Sequence, residues 1–304
     1  MDEVTALPRP RNPPVPDDPL TCEPQGCPWN AVRHSLESVN TPIGVIGGSG
    51  MYRLLTDAEP LAIDTPYGPP SEAPARGLLG GREVVFLPRH GADHRFAPHR
   101  VPYRANIWAL RALGVRQLVT TCAVGGLLPE LSAGSVVVPD QVIDRTWGRD
   151  HTYYDVEGPV VHLPFADPYC PRGRRAAVAA AQAGPLPAVD GGTMVVIQGP
   201  RFSSRAESRR NAQDGGTLVN MTAMPETALA RELALCCTTL ALVTDADAGV
   251  ESGEHVTQDA VFELFARNVS QLSGILEATV AALPEDECDC QHVLDGQKLP
   301  FDLP

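Results

Sequence analysis

Apolar residues in this chain come in two kinds of stretch. Residues 43–46, 84–87, 117–121, 135–138, 195–197 and 239–244 are short apolar runs bounded by Gly, Pro or polar residues. That pattern predicts buried strands. Between them lie stretches with helical spacing: 103–113, carrying Ile107, Leu110 and Leu113; an Ala-rich run over 172–183; and 257–282, with Phe262, Phe265, Val269 and Leu272 on one face. Pro225 and Glu226 open a further Ala/Leu-rich helix, and Ser204 and Glu207 stand in capping-box register at the head of a polar one. Strands alternating with helices predict an α/β fold, with helices covering both faces of a central sheet.

Residues 1–40 break this pattern. Eight prolines fall within the first 28 positions and no periodicity is present, which predicts a poorly ordered extension. The regular pattern occupies 41–284 as one domain, and 285–304 reads as a tail carrying Cys288-Asp289-Cys290.

Across all 304 residues the net charge is −13, which argues against non-specific binding to nucleic acid or to an anionic membrane. No apolar run has the length of a membrane span and no secretory signal is evident, so a soluble cytoplasmic protein is expected. Cys122, Cys170, Cys236 and Cys237 fall in the folded body and are expected to be buried free thiols. Cys22, Cys27, Cys288, Cys290 and His292 allow a zinc site or a disulfide between the chain ends. Their spacing fits no common finger pattern, so free surface thiols are the preferred reading.

Chemistry concentrates where the predicted strands end. Gly47-Gly48-Ser49-Gly50 follows the first, and its glycines let successive N–H groups approach an anion. A dinucleotide fingerprint needs a third glycine at position 53, where Arg53 stands, so that reading fails despite Asp64 downstream. Arg89-His90-Gly91 follows another strand and offers a bidentate fork for phosphate beside an imidazole that could donate or take up a proton. Cys122-Ala123-Val124-Gly125-Gly126 reads as a further glycine turn. Asp245 and Asp247 share one side of the chain if strand geometry persists past Thr244. Two acids so close either share a proton over a ligand or form a solvated acidic turn, and spacing alone leaves both open.

Taken together, these segments resemble a known family. Gly44 to Gly50, Arg89-His90-Gly91, Tyr103-Arg104-Ala105-Asn106, Gly199 to Glu207, Asn220-Met221-Thr222 with Pro225-Glu226, and Thr244 to Asp247 are similar to the S-methyl-5′-thioadenosine phosphorylases, of the trimeric purine nucleoside phosphorylases. The resemblance runs from about residue 43 to 283. It implies a three-layer α/β/α fold around a mixed sheet and a homotrimer with sites near subunit interfaces. It also implies no organic cofactor or metal, with inorganic phosphate as a co-substrate. The implied reaction is that of a pentosyltransferase: phosphate displaces adenine from C1′ of 5′-methylthioadenosine.

By the same resemblance, Ser49, Arg89, His90, Cys122, Ala123 and Thr222 bind phosphate, and Met221 packs on the ribose. Phe202, Ser203, Asp245 and Asp247 hold adenine, Asp245 is the acid that protonates N7, and Gln258 and His162 face the 5′ group. Ionised carboxylates accept from a 6-amino group. The 6-oxopurine relatives place Asn at the Asp245 position and Glu at Ser203. Two departures stand out. Cys122 replaces a hydroxyl or amide, and Gln258 replaces a small apolar residue. The latter keeps 5′-deoxyadenosine and 5′-halogenated analogues as alternative substrates, with an inosine-type activity or a non-catalytic nucleoside-binding role as lesser ones.

Overall fold

The computed structural model describes residues 41–48, 54–55, 58–247 and 257–304. The proline-rich extension, with Cys22 and Cys27, lies outside them, as do Ser49, Gly50 and Arg53. In chain order the strands are β1 (Ile43–Gly47), β2 (Glu59–Pro60), β3 (Ala75–Leu79), β4 (Arg82–Pro88), β5 (Gln117–Gly126), β6 (Val136–Val138), β7 (Gln141–Arg145), β8 (Ala188–Asp190), β9 (Thr193–Ile197), β10 (Leu218–Asn220) and β11 (Cys236–Ala246). The helices are α1 (Tyr103–Ala112), α2 (Pro171–Ala183), α3 (Arg205–Gln213), α4 (Ala223–Glu232) and α5 (Gln258–Ala282).

These strands form one mixed sheet, and β5 is its hinge of connectivity. Along one edge β5 pairs with β11 over its whole length, in parallel. Along the other it pairs with β1 only from Gln117 to Thr120, and with antiparallel β10 only at Gly125 and Gly126. Between those partners, residues 121–124 face a gap in the sheet. The expected glycine turn at 122–126 is therefore strand. β11 is likewise longer than the 239–244 run, because Cys236, Cys237 and Thr238 pair with Gln117, Leu118 and Val119.

Alternate residues of these strands feed two apolar layers, as period-two geometry requires. Ile43, Val45, Val119, Leu240 and Leu242 pack under α2 and α5, with Ala177, Phe265, Leu272 and Leu276. Ile46, Val85, Leu87 and Leu118 face the other way, under α1 and α4, with Ile107, Leu110, Leu229 and Leu233. The result is the α/β/α sandwich expected from the pattern. On α5 the expected stripe divides: Phe265 and Leu272 are core, whereas Phe262 turns toward the gap. The α3 cap forms as predicted, Ser204 Oγ accepting from Glu207 N at 3.3 Å and Glu207 Oε2 from Ser204 N at 2.7 Å.

The C-terminal residues do not trail away. Residues 285–304 belong to the same compact unit as the rest of 40–304, and Cys288, Cys290 and Leu294 are buried. Phe301 stacks on Tyr154 at 5.4 Å and meets Trp108 at 5.5 Å.

At the strand ends sits a buried ion pair. Arg89 follows β4, Glu226 lies in α4, and both side chains are 2% exposed. Arg89 Nε and Nη2 donate to Glu226 Oε2 and Oε1 at 2.7 and 2.8 Å, and Nη1 donates to the Thr121 carbonyl at 2.9 Å. Burial would lower the Arg89 pKa, but the Glu226 carboxylate outweighs it and holds the guanidinium charged. Breaking such a pair strands one buried charge. Arg89→Ala or Glu226→Gln should each cost about 3–5 kcal/mol in urea unfolding. A loss below about 1 kcal/mol would show that the pair is not a structural element.

Candidate active site

The gap in the sheet opens into a cavity of ≈ 490 Å³. Its walls come from strand ends that are far apart in sequence: Gly48 after β1, Arg89 and His90 after β4, Cys122 to Gly125 in β5, Asn220 to Thr222 at the end of β10, and Asp245 and Asp247 at the end of β11. Pro200, Phe202 and Ser203 after β9, and Gln258, Val261 and Phe262 from the first turns of α5, complete it. Ligands collect in such crevices because strand order diverges there and leaves backbone groups unpaired.

One end of the cavity gathers hydrogen-bonding groups from β5, β10 and α4. The Ala123 carbonyl accepts from Asn220 Nδ2 at 3.1 Å across the gap. A strand residue projects its N–H and C=O to the same edge, so the Ala123 N–H also faces the gap. Thr222, at the head of α4, is positioned by Asn220, whose Oδ1 accepts from Thr222 N and Ala223 N, both at 2.7 Å. The Arg89 fork is already taken by Glu226, so the bidentate grip on phosphate expected from the sequence is not available, and Arg89 meets the cavity as one half of a neutral ion pair.

His90 is 7% exposed, and Gly91, at φ +79°, turns the chain directly behind it. Its Nδ1 lies 2.8 Å from the Phe96 carbonyl, an acceptor, so Nδ1 carries the hydrogen and Nε2 of the neutral ring accepts. Burial, then the neighbouring Arg89 charge, push the His90 pKa down to about 4. Burial pushes the Cys122 thiol up to about 12, so it stays protonated and is a weak donor.

The opposite end carries the acids. β11 bulges between Val243 and Asp245: Val243 pairs with Val124, Asp245 with Gly125, and Thr244 is the extra residue. Such a bulge re-aims the side chains that follow it. Gly125 makes room for them, since a Cβ there would lie 3.2 Å from both Asp245 Oδ2 and Asp247 Cβ. Asp245 Oδ1 accepts from Thr244 Oγ1 at 2.7 Å. Burial, reinforced by the Asp247 charge, raises the Asp245 pKa from 3.8 to about 6. Asp247, 3% exposed, accepts from Ser208 Oγ of α3 through Oδ2. Beside them the buried Ser203 Oγ has no partner among the described residues. A buried hydroxyl left unsatisfied in a cavity wall points to a ligand atom.

Of the residues expected to act together, Arg89, His90, Cys122, Ala123, Thr222, Met221, Phe202, Ser203, Asp245, Asp247 and Gln258 all line this cavity. Ser49 lies outside the described residues, although its neighbour Gly48 lines the cavity. His162 is exposed and does not line the cavity of its own chain. Sequence reasoning missed His94, Val261 and Phe262. His94 stacks on His90 at 4.5 Å and meets the Phe262 edge at 5.5 Å. Their signal was present: Gln258, Val261 and Phe262 stand at i, i+3 and i+4 on one helix face.

The family model of the phosphorylase superfamily matches residues 42–281. The chain is 55% identical to an S-methyl-5′-thioadenosine phosphorylase of Mycolicibacterium smegmatis, covering 86% of this chain and 99% of that one. It is 52% identical to a purine nucleoside phosphorylase of Streptomyces coelicolor, over 88% and 99% of the two chains. Among solved structures, a methylthioadenosine phosphorylase from Schistosoma mansoni in complex with adenine superposes with a TM-score of 0.77 at 38% identity, covering 81% of this chain and 93% of that one.

A carboxyl whose folded pKa lies above its unfolded value stabilises the fold when protonated. That stability is complete below about 3.8 and is lost as pH rises through about 6. Asp245→Asn should therefore melt at or above the wild-type temperature at pH 8, with the advantage vanishing at pH 4. A lower melting temperature at pH 8 would show that the Asp245 carboxyl is not destabilised by its site. Sequence, fold and cavity agree on one assignment: the chain belongs to the phosphorylase superfamily, with the S-methyl-5′-thioadenosine and purine nucleoside phosphorylases.

Proposed function

We propose that this protein cleaves the N-glycosidic bond of a 5′-modified adenosine by phosphorolysis, with 5′-methylthioadenosine as its main substrate and adenine and 5-methylthioribose 1-phosphate as products. The observation that carries this reading is Asp245, a carboxyl raised to about 6 at the far end of one cavity from an anion cradle. A proton donor and a nucleophile's seat are thereby held on either side of a single nucleoside.

The steps follow from the groups present. A phosphate oxygen attacks C1′ as the C1′–N9 bond breaks, and its electron pair flows into the purine ring. The purine leaves as a neutral base when Asp245 gives its proton to N7, and solvent later restores that proton. General-acid transfer of this kind is worth about 10²–10⁴-fold in rate. Phosphate is a weak nucleophile, so most of what the cradle supplies is position: Ala123 N–H and Thr222 hold it, beside the Arg89–Glu226 pair. Neutral His90, with Nε2 as acceptor, suits a phosphate that still carries one hydroxyl. Asp247, kept in place by Ser208, accepts from the exocyclic amine, and Ser203 Oγ gains its missing partner from the base.

At the 5′ end, Val261 and Phe262 offer an apolar wall that suits a methylthio group, while Gln258 adds one polar group. Gln258 supports a second reading, in which the same reaction acts on a 5′-deoxy or 5′-halogenated adenosine. We further place the working assembly as a homotrimer in the cytoplasm, acting in purine and methionine salvage and using no cofactor beyond phosphate. The resemblance of its motifs to the trimeric purine nucleoside phosphorylases supports the trimer, and the 55% identity to an S-methyl-5′-thioadenosine phosphorylase supports the salvage role.

Phosphate-dependent base release should be compared for methylthioadenosine, 5′-deoxyadenosine, 5′-fluoro-5′-deoxyadenosine, adenosine and inosine. Methylthioadenosine is expected to give the highest kcat/KM, and inosine as the best substrate would overturn the roles of both aspartates. With the preferred substrate, kcat/KM should fall above about pH 6, as Asp245 loses its proton. Asp245→Asn should lose about 10²–10⁴-fold in kcat with little change in the KM for phosphate. Full activity in that variant would remove Asp245 from the acid role.

A further inference from the structure

Outside the active site, four cysteines converge. Cys170 precedes α2, Cys236 opens β11, and Cys288 and Cys290 come from the C-terminal segment. All four are buried, and their sulfurs all lie within 4.8 Å of one another, with Cys170 Sγ and Cys288 Sγ 3.7 Å apart. The pairing considered with Cys22 and Cys27 involves residues outside those described. Among the described residues the neighbours of Cys288 and Cys290 are Cys170 and Cys236, their burial overturns the surface-thiol reading, and His292 is exposed against Asp295 at 3.0 Å.

The spacing is informative. Thiolates about 2.3 Å from a tetrahedral zinc ion stand about 3.8 Å from one another. A disulfide instead brings two sulfurs to about 2.05 Å. Four sulfurs within 4.8 Å of one another, one pair of them at 3.7 Å, are close enough together to share one tetrahedral ion. The surroundings suit a site whose thiolates outweigh its metal by two charges. Cys170 is the N-cap of α2, so the positive end of a thirteen-residue helix points at it. Gly173 N donates to Cys170 Sγ at 3.4 Å, and Gln291 Nε2 lies 4.0 Å from Cys236 Sγ. The Arg172 guanidinium bridges to the carbonyl of Glu287, beside Cys288.

We infer that Cys170, Cys236, Cys288 and Cys290 bind one zinc ion as a closed tetrathiolate site. Binding releases the thiol protons to solvent, and four protein ligands leave no open position for a substrate. The site is therefore a clip. It ties the C-terminal segment to the head of α2 and the first residue of β11, on ligands spread over more than a hundred residues. The cluster does not line the catalytic cavity.

The test uses the full chain, produced in zinc-supplemented cells and purified without chelator. Elemental analysis should find one zinc per chain. Cobalt(II) added to metal-free protein should give sulfur-to-metal charge-transfer bands and the visible spectrum of a tetrahedral thiolate. The double variant Cys288→Ser/Cys290→Ser should lose both the zinc and these bands while retaining phosphorolysis. Because the first two readings use the unaltered protein, misfolding of the variant would not obscure the result. Less than a tenth of an equivalent of zinc overturns the inference, whether mass spectrometry then finds disulfides or free thiols.

Discussion

The contact on which the rest depends is the buried ion pair between Arg89 and Glu226. It closes the sheet where β1 leaves β5 and before β10 joins, a place where backbone hydrogen bonding is interrupted. Arg89 Nη1 takes the Thr121 carbonyl that the missing strand would otherwise have served, and Glu226 fastens the head of α4 to the same point. A gap of this kind would invite water or collapse if left unsatisfied. Here it is lined, charged and held open. The cavity follows from that, since its floor is the ion pair and its walls are the strand ends on either side.

The two ends of the cavity use different physics. The anion end is built from backbone and from a charge that is fully compensated inside the protein, so an arriving phosphate meets oriented donors without displacing a partner. The nucleoside end is built from groups that burial has left uncomfortable: a carboxyl raised toward neutrality and a hydroxyl with no partner. In the function proposed above, both are relieved by the purine, so that binding energy and proton transfer come from the same desolvated groups.

Much of this was legible in the chain, because strand ends leave local traces. The runs leading to Gly48, Arg89 and Asp245 each announced a strand by composition and a ligand contact by what came next. Local traces do not report pairing. Cys122 to Gly126 resembles a turn until β11 is seen alongside it, and the Arg89 fork looks available until Glu226, far along the chain, occupies it. Phe262 belongs to an apolar stripe by spacing, and only the packing of α5 across the strand ends separates it from Phe265. The cysteines show the same limit: of the four, only Cys288 and Cys290 are close enough in sequence to register as a pair.

The bulge at Thr244 carries a consequence for how this site can change over generations. Asp245 and Asp247 line the cavity after one surplus residue has shifted the frame of β11 by a single step. Exchanging either acid for another side chain leaves that frame intact and retunes which base is welcomed. Losing or gaining one residue here would instead turn different side chains toward the cavity, although every neighbouring hydrogen bond could still form. In this chain, then, the identity of the two acids and the number of residues between Val243 and Asp247 are separate constraints: the first sets the chemistry presented to the cavity, the second sets whether it is presented there at all.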